Sequence, residues 1–112
     1  MREQDFCEQI SGCIGSVHSK LARSMIYWTD YLKYRAALRG FELEKLESSI
    51  RHSPERYFDT ETERHMVVGR HNLQLVIIAY DIENGTMIPV TVHTMTRQQI
   101  WFRLNTRRFI HE

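Results

Sequence analysis

The sequence predicts an α+β fold, in which a helical hairpin packs on an antiparallel four-stranded sheet and a further helix follows at the C-terminal end. Three observations carry this prediction. Two helical segments are separated by Gly40, which is typical of an αα-hairpin. The run LQLVIIAYD at 73–81 is apolar on both alternating faces, as expected for a central strand that is covered on both sides. Asn84-Gly85 then provides the type I′ turn of a β-hairpin.

The elements before the sheet are indicated by short patterns. The run MIYW at 25–28 is β-prone, and Thr29-Asp30 follows it as a helix N-cap. The first helix covers 31–39, and its apolar stripe consists of Tyr31, Tyr34 and Leu38, with Leu32 and Ala36 beside it. The second helix covers 42–52 and ends before Pro54, and its apolar positions are Leu43, Leu46 and Ile50.

Four predicted strands follow the helices, at 56–58, 64–69, 73–81 and 88–95. Pro89 marks the start of the last strand or a sheet edge, since proline cannot donate a ladder hydrogen bond. A final helix begins at Thr96, which has capping-box spacing to Gln99, and ends near Asn105. The residues 107–109 are then left as a short tail.

Composition describes a globular chain and excludes several classes of protein. The 112 residues are 42% hydrophobic and 26% charged, unlike a disordered segment. No apolar run approaches the ~18 residues of a membrane helix, and the polar start of the chain does not resemble a signal peptide. Cys7 and Cys13 match no zinc spacing and are too few for a disulfide framework. We therefore expect a cytoplasmic protein that does not enter a membrane.

The chain divides into an extension and one domain. Residues 1–23 mix glycines, serines and isolated apolar residues without a sustained period, so we expect an N-terminal extension that is either flexible or weakly helical. The domain itself is expected at 24–112.

The charge is unevenly distributed along the chain. Residues 1–85 carry 11 Lys and Arg against 13 Asp and Glu, whereas residues 86–112 carry four Arg and one Glu. Arginine presents a planar fork of donors that suits phosphate and carboxylate groups. The C-terminal part therefore predicts a local anionic partner, although a solvated helix explains the same charges.

His93 and Arg97 are the candidate chemical pair. They stand at the end of the last long strand and in the first turn of the last helix, so we expect their side chains at one corner. A histidine exchanges protons near neutral pH, and an arginine stabilises charge on a reacting phosphate. Tyr57, Tyr80 and Trp101 are aromatic rings on which bases could stack, or else residues of the core. The histidines form no metal-ligand spacing, and we expect no metal and no cofactor.

Several sequence strings resemble the RelE/ParE-like toxin superfamily, most closely its BrnT-type branch. They cover about 25–109, and they are TDY at 29–31, RGFEL at 39–43, ERYFD at 55–59, VGRH at 68–71, PVTVHTMTRQQI at 89–100, FRL at 102–104 and RF at 108–109. The resemblance implies a RelE-like fold with a curved sheet. It also implies the toxin of a type II toxin–antitoxin system, an RNA endonuclease that needs no metal and is held inactive by a cognate antitoxin protein.

The resemblance also implies roles for individual residues. His93 would be the general acid and base, and Arg97 would stabilise the phosphate. Arg70 and His71, expected in a turn after a strand, are second-choice candidates for the site. From the residues themselves, Arg103 and Arg107 extend the positive surface along the last helix, and the predicted RNA-binding residues are Arg70, His71, Tyr57, Trp101, Arg103, Arg107 and Arg108. Members that cut RNA on the ribosome have a lysine-rich surface, whereas the lysines of this chain all lie before residue 46, so it stays open whether the RNA is ribosome-bound.

Two alternatives remain from the sequence. One is a ParE-like toxin without enzymatic activity that inhibits a protein target through the arginine-rich tail. The other is an interaction protein without toxicity. A homodimer is compatible with each of these classes.

Overall fold

The computed structural model describes residues 24–112, and the expectation for the extension at 1–23 lies outside the described residues. In the described part the chain is α+β, as predicted, with three helices and six strands. None of these helices is long and apolar enough to span a membrane. In chain order the elements are β1 (Met25–Ile26), α1 (Asp30–Leu38), α2 (Leu43–His52), β2 (Arg56–Asp59), β3 (Arg64–His71), β4 (Gln74–Glu83), β5 (Thr86–Thr94), α3 (Arg97–Asn105) and β6 (Phe109–His111).

The sheet has the strand order β1-β5-β4-β3-β2-β6, so the prediction of four antiparallel strands is wrong in two respects. β1 joins the sheet parallel to β5, with Met25 opposite Thr86. β6 forms from residues predicted as a tail and pairs antiparallel with β2, with Phe109 opposite Asp59. β1 lies in the run at 25–28 that the sequence predicts as β-prone, but its place in the sheet was not predicted. β6 is only three residues long, too short to show a period-2 pattern.

Helix α1 begins and ends as the sequence predicts but buries a different face. Its N-cap Thr29 accepts a hydrogen bond from the backbone N–H of Leu32 at 3.1 Å. The expected apolar stripe of two tyrosines and Leu38 is exposed, and the buried residues are Leu32 and Ala36. Ala36 has no side chain beyond Cβ, so the helix backbone can approach the sheet closely on this side. The bulky stripe would hold the helix further away.

Helix α2 packs tightly on β3. Leu46 and Ile50 are buried, as predicted from their spacing. The approach is so close that a Cβ atom on Gly69 would lie 2.1 Å from the Ser49 hydroxyl oxygen. Arg56 of β2 is also buried and donates a hydrogen bond to the Ile50 carbonyl near the C-terminal end of α2. A glycine and an arginine of the sheet therefore fix the position of this helix.

The central strand is covered on both faces, as its sequence predicts. Ile78 faces the helical hairpin and Ile77 faces α3, and neither side chain is exposed. The core under the hairpin comprises Leu32, Ala36, Phe41, Leu46, Ile50, Val67, Val76, Ile78, Tyr80, Met87 and Val92. The core under α3 comprises Tyr57, Met66, Val68, Ile77, Ala79, Met95, Ile100 and Phe109.

The β4–β5 hairpin and the start of α3 confirm two turn predictions. Asn84 and Gly85 both have positive φ, 51° and 79°, as a type I′ turn requires. Thr96 and Gln99 form the predicted capping box. Pro89 lies within β5 and not at its start, at an irregularity in the register where a proline is tolerated.

Candidate functional site

His93 lies on β5 opposite Ile77 of β4, and its side chain is half-buried. Burial lowers the pKa of His93 below its ordinary value of 6.5, and the positive charges of Arg103 and Arg39 lower it further. The imidazole is therefore neutral at pH 7. A neutral ring has one nitrogen that can accept a proton.

Arg39 is the neighbour of His93 that the sequence did not identify. It is the C-cap of α1, and its guanidinium donates a hydrogen bond to the Val92 carbonyl at 3.0 Å. Arg35 lies one turn earlier on the same helix, with its guanidinium 5.9 Å from the centre of the Tyr31 ring. The signal available in the sequence was the spacing of four residues between the two arginines, which places them on one face of a helix.

Arg97 makes different contacts from those expected of a partner of His93. Its guanidinium forms two hydrogen bonds with the Glu55 carboxylate, and the Tyr57 hydroxyl donates to the same carboxylate at 2.6 Å. The bond to Glu55 raises the pKa of Arg97. Burial and the hydrogen bond to Glu55 raise the pKa of Tyr57 to about 12. The fold thus ties Arg97 to Glu55, just before β2, and it is the charge of Arg103, a predicted RNA-binding residue, that acts on His93.

The predicted RNA-binding residues of α3 lie on different sides of that helix. The Arg103 guanidinium is 5.6 Å from the centre of the Phe109 ring. Trp101 is 58% exposed, which leaves its ring open to a base. Residues two apart in a helix differ by ~200° around the axis, so Trp101 and Arg103 project from nearly opposite sides.

Tyr57 and His71 are buried, and each has a structural contact. The Tyr57 ring stacks on Phe109 with centroids 5.5 Å apart, and only 4% of the residue is exposed. His71 is also 4% exposed, and its Nε2 accepts a hydrogen bond from the backbone N–H of Glu42 at the start of α2. Neither ring therefore offers an open face for a base. Arg70 is exposed, and it lies within β3 rather than in a turn after the strand.

The two arginines after α3 differ in their surroundings. Arg107 is exposed and has a φ of 65°. Arg108 forms two hydrogen bonds of 3.1 Å with the Asp59 carboxylate and an ion pair of 2.9 Å with Glu61. Burial alone would raise the pKa of Asp59, but the hydrogen bonds from Arg108 and from backbone amides outweigh it, and the pKa is lowered. Arg108 thus fastens the chain before β6 to β2.

A groove of about 220 Å³ opens between α1 and β5. Among the residues described by the structure, its two arginines form no ion pair with a carboxylate. The groove therefore presents positive charge along the edge of β5, whereas the His93 ring lies on the opposite face of this strand, on the side of Ile77 and α3. The groove is lined by Tyr31, Leu32, Arg35, Arg39, Val90, Thr91, Val92 and His93.

Comparison with known proteins gives no match to a protein-family model, to a curated protein or to a solved structure. The resemblance to RelE/ParE-like toxins therefore rests on the sequence strings given above. In residues 24–112, no three His, Cys, Asp or Glu side chains are grouped so that they could hold a metal ion.

Proposed function

We propose that the chain is the toxin of a type II toxin–antitoxin system and acts as a metal-independent RNA endonuclease, with a cognate antitoxin protein as its partner. The single observation that carries the enzymatic part is His93, a half-buried histidine whose pKa is lowered by burial, Arg103 and Arg39. A histidine that is neutral at pH 7 and lies near guanidinium groups suits proton transfer at a phosphodiester.

The proposed reaction uses the RNA's own 2′-hydroxyl as the nucleophile. His93 accepts the proton of this hydroxyl while its oxygen forms a bond to the adjacent phosphorus. The bond from phosphorus to the 5′ oxygen breaks, and that oxygen takes a proton, returned from His93 through water. Arg39 and Arg103 stabilise the additional negative charge on the phosphate oxygens. The products are a 2′,3′-cyclic phosphate and a 5′-hydroxyl.

Arg97 retains its proposed phosphate-stabilising role only if a phosphate replaces Glu55 as its partner. The present ion pair holds both ends of the guanidinium fork. Exposed Trp101 supports RNA binding through base stacking, and exposed Arg70 and Arg107 support it through phosphate contacts.

The first test is cleavage of purified RNA by the full chain in EDTA, with wild type beside His93→Ala. We expect cleavage by the wild type and a loss of at least ~100-fold in the variant, because general acid–base catalysis contributes roughly that factor or more. His52→Ala is the matched control, since His52 is an exposed histidine on α2 outside the groove.

Equal cleavage by wild type and His93→Ala would reject His93 as the catalytic base. If the wild type leaves RNA intact both alone and with added ribosomes, the enzymatic proposal itself fails. Thermal melting of each variant shows whether a loss of cleavage reflects unfolding.

The second candidate is a toxin that binds a protein target without catalysis, as in the ParE branch. Trp101 and Phe102 favour it, because these neighbouring apolar side chains of α3 are 58% and 67% exposed. Exposed aromatic residues are enriched at the centres of protein interfaces. This candidate requires growth arrest with intact RNA pools, and arrest that is lost in Trp101→Ala rather than in His93→Ala.

A further inference from the structure

The outer edge of β5 is open over most of its length in the described part of the chain. β1 pairs only with Thr86 and Met87, and the last backbone hydrogen bond on this side runs from the Tyr27 N–H to the Met87 carbonyl at 2.9 Å. Beyond this point, no described strand pairs with the outer edge of β5. An unpaired strand edge is a template for another extended chain.

The backbone of Val92 defines which groups this edge offers. Its carbonyl accepts the hydrogen bond from Arg39, so it points away from β4. In an antiparallel strand the N–H and C=O of one residue point to the same edge of the strand. The N–H and C=O of the residue two positions further along point to that edge too. The Val92 carbonyl is already bonded to Arg39, so the outward groups left for another chain are the N–H of Val92 and the N–H and C=O of Thr94.

The groove beside this edge is positively charged and therefore favours a bound chain with negative charge. Arg35 and Arg39 both line it, and in the described residues neither has a carboxylate partner. Tyr31, which is 64% exposed, adds an apolar wall on the α1 side. A chain lying along β5 would place every second side chain towards these arginines, because side chains of a strand alternate between two faces.

We propose that the open edge of β5 and the groove beneath α1 bind an extended acidic segment of a partner protein, which adds as a further strand next to Val92. Its backbone pairs with the outward groups of β5, and its carboxylates bind Arg35 and Arg39. The observations favour a peptide over RNA, since a nucleotide chain lacks the regular N–H and C=O groups that match a strand edge. The inference does not depend on nuclease activity.

The test measures binding of a fluorescent, blocked peptide of alternating Glu and Val to the full chain by anisotropy. We expect saturable binding, no binding of the matched Lys-Val peptide, and no binding of a Glu-Val peptide that is N-methylated at alternate residues. The double variant Arg35→Glu/Arg39→Glu should weaken binding at least ~10-fold, because it replaces attraction with repulsion. Lys33→Glu is the control, since Lys33 is on α1 but does not line the groove.

The proposal is overturned if the acidic peptide does not bind, if the N-methylated peptide binds equally well, or if Lys33→Glu weakens binding as much as the double variant. Binding of single-stranded RNA without binding of the peptide would identify the groove as a nucleic-acid site instead. A dimer in sedimentation that the double variant dissociates, again without peptide binding, would identify a second copy of this chain as the occupant. Each result is obtained without any cleavage reaction, so it is independent of the test of His93.

Discussion

Burial and neighbouring charge, rather than residue type, set the chemistry of individual side chains in this molecule. His93 and His71 illustrate the difference. His71 is buried and its Nε2 already accepts a backbone hydrogen bond, so it holds α2 in place. His93 is half-buried beside two arginines, and its ring is held neutral. The sequence placed both histidines among its candidates, and only their surroundings separate them.

At the scale of the residue we predict that the pKa of the His93 imidazole is lower than that of an ordinary histidine. Its ring resonances in an NMR titration should give a pKa below 6.5, because burial and the charges of Arg103 and Arg39 both disfavour the imidazolium ion. Arg103→Ala should move the midpoint back towards 6.5. A wild-type midpoint at or above 6.5 would contradict the prediction, as would an unchanged midpoint in Arg103→Ala.

The position of each element depends on a few close contacts. Helix α2 lies against β3 because Gly69 leaves room for Ser49, and Phe41 packs edge-on against His71 with centroids 5.3 Å apart. Helix α1 approaches the sheet through Leu32 and Ala36. The two tyrosines of α1 are therefore exposed rather than part of the core, and one of them, Tyr31, borders the groove.

At the scale of the element we predict that Gly69→Ala destabilises the fold by roughly 1–3 kcal/mol, because the added methyl group overpacks the contact between α2 and β3. Denaturant unfolding of the purified chain measures the change. Adding Ser49→Gly removes the atoms that the methyl group meets, so the double variant should recover part of the loss. If Gly69→Ala unfolds at the same denaturant midpoint as the wild type, the close contact between Ser49 of α2 and Gly69 of β3 does not contribute to stability.

The whole molecule is completed by the chain after α3, which returns along the sheet to pair with β2. Asp59 is 1% exposed, and its two hydrogen bonds with Arg108 anchor the residues before β6. Thr60 reinforces the junction, since its backbone N–H donates to the Arg108 carbonyl at 2.8 Å. These contacts reinforce the edge strand β6, which is also held by its pairing with β2 and by the buried ring of Phe109.

At this scale we predict that Arg108→Met lowers the free energy of unfolding by about 1–3 kcal/mol at pH 7, because it leaves a buried carboxylate without its charged partner. The folded-state pKa of Asp59 is lowered from 3.8, so the stability from this pair is fully present above that pH and is lost as the pH falls through the folded-state value.

The difference between wild type and Arg108→Met, measured by denaturant unfolding, should therefore be largest near neutral pH and should shrink in acid. Arg107→Met is the control, because the adjacent Arg107 is exposed. A difference that is constant between pH 7 and pH 3, or an equal loss in the control, would show that the ion pair contributes nothing specific.

The sequence by itself determined the α+β class, the helical hairpin, the central strand, the Asn84-Gly85 turn and the capping box at Thr96. Each of these follows from local periodicity or from the conformational preference of one or two residues, which operate without knowledge of the rest of the chain. Only the tertiary structure decided the pairing of β1 and β6, the buried face of α1 and the partners of the arginines. The proximity of Arg39 to Val92 and of Arg97 to Glu55 joins residues 53 and 42 positions apart, and no local pattern encodes such pairs. The candidate site was therefore predicted only in part. His93 and Arg103 were named from the sequence, whereas Arg39 was identified only from the packing of α1 against β5.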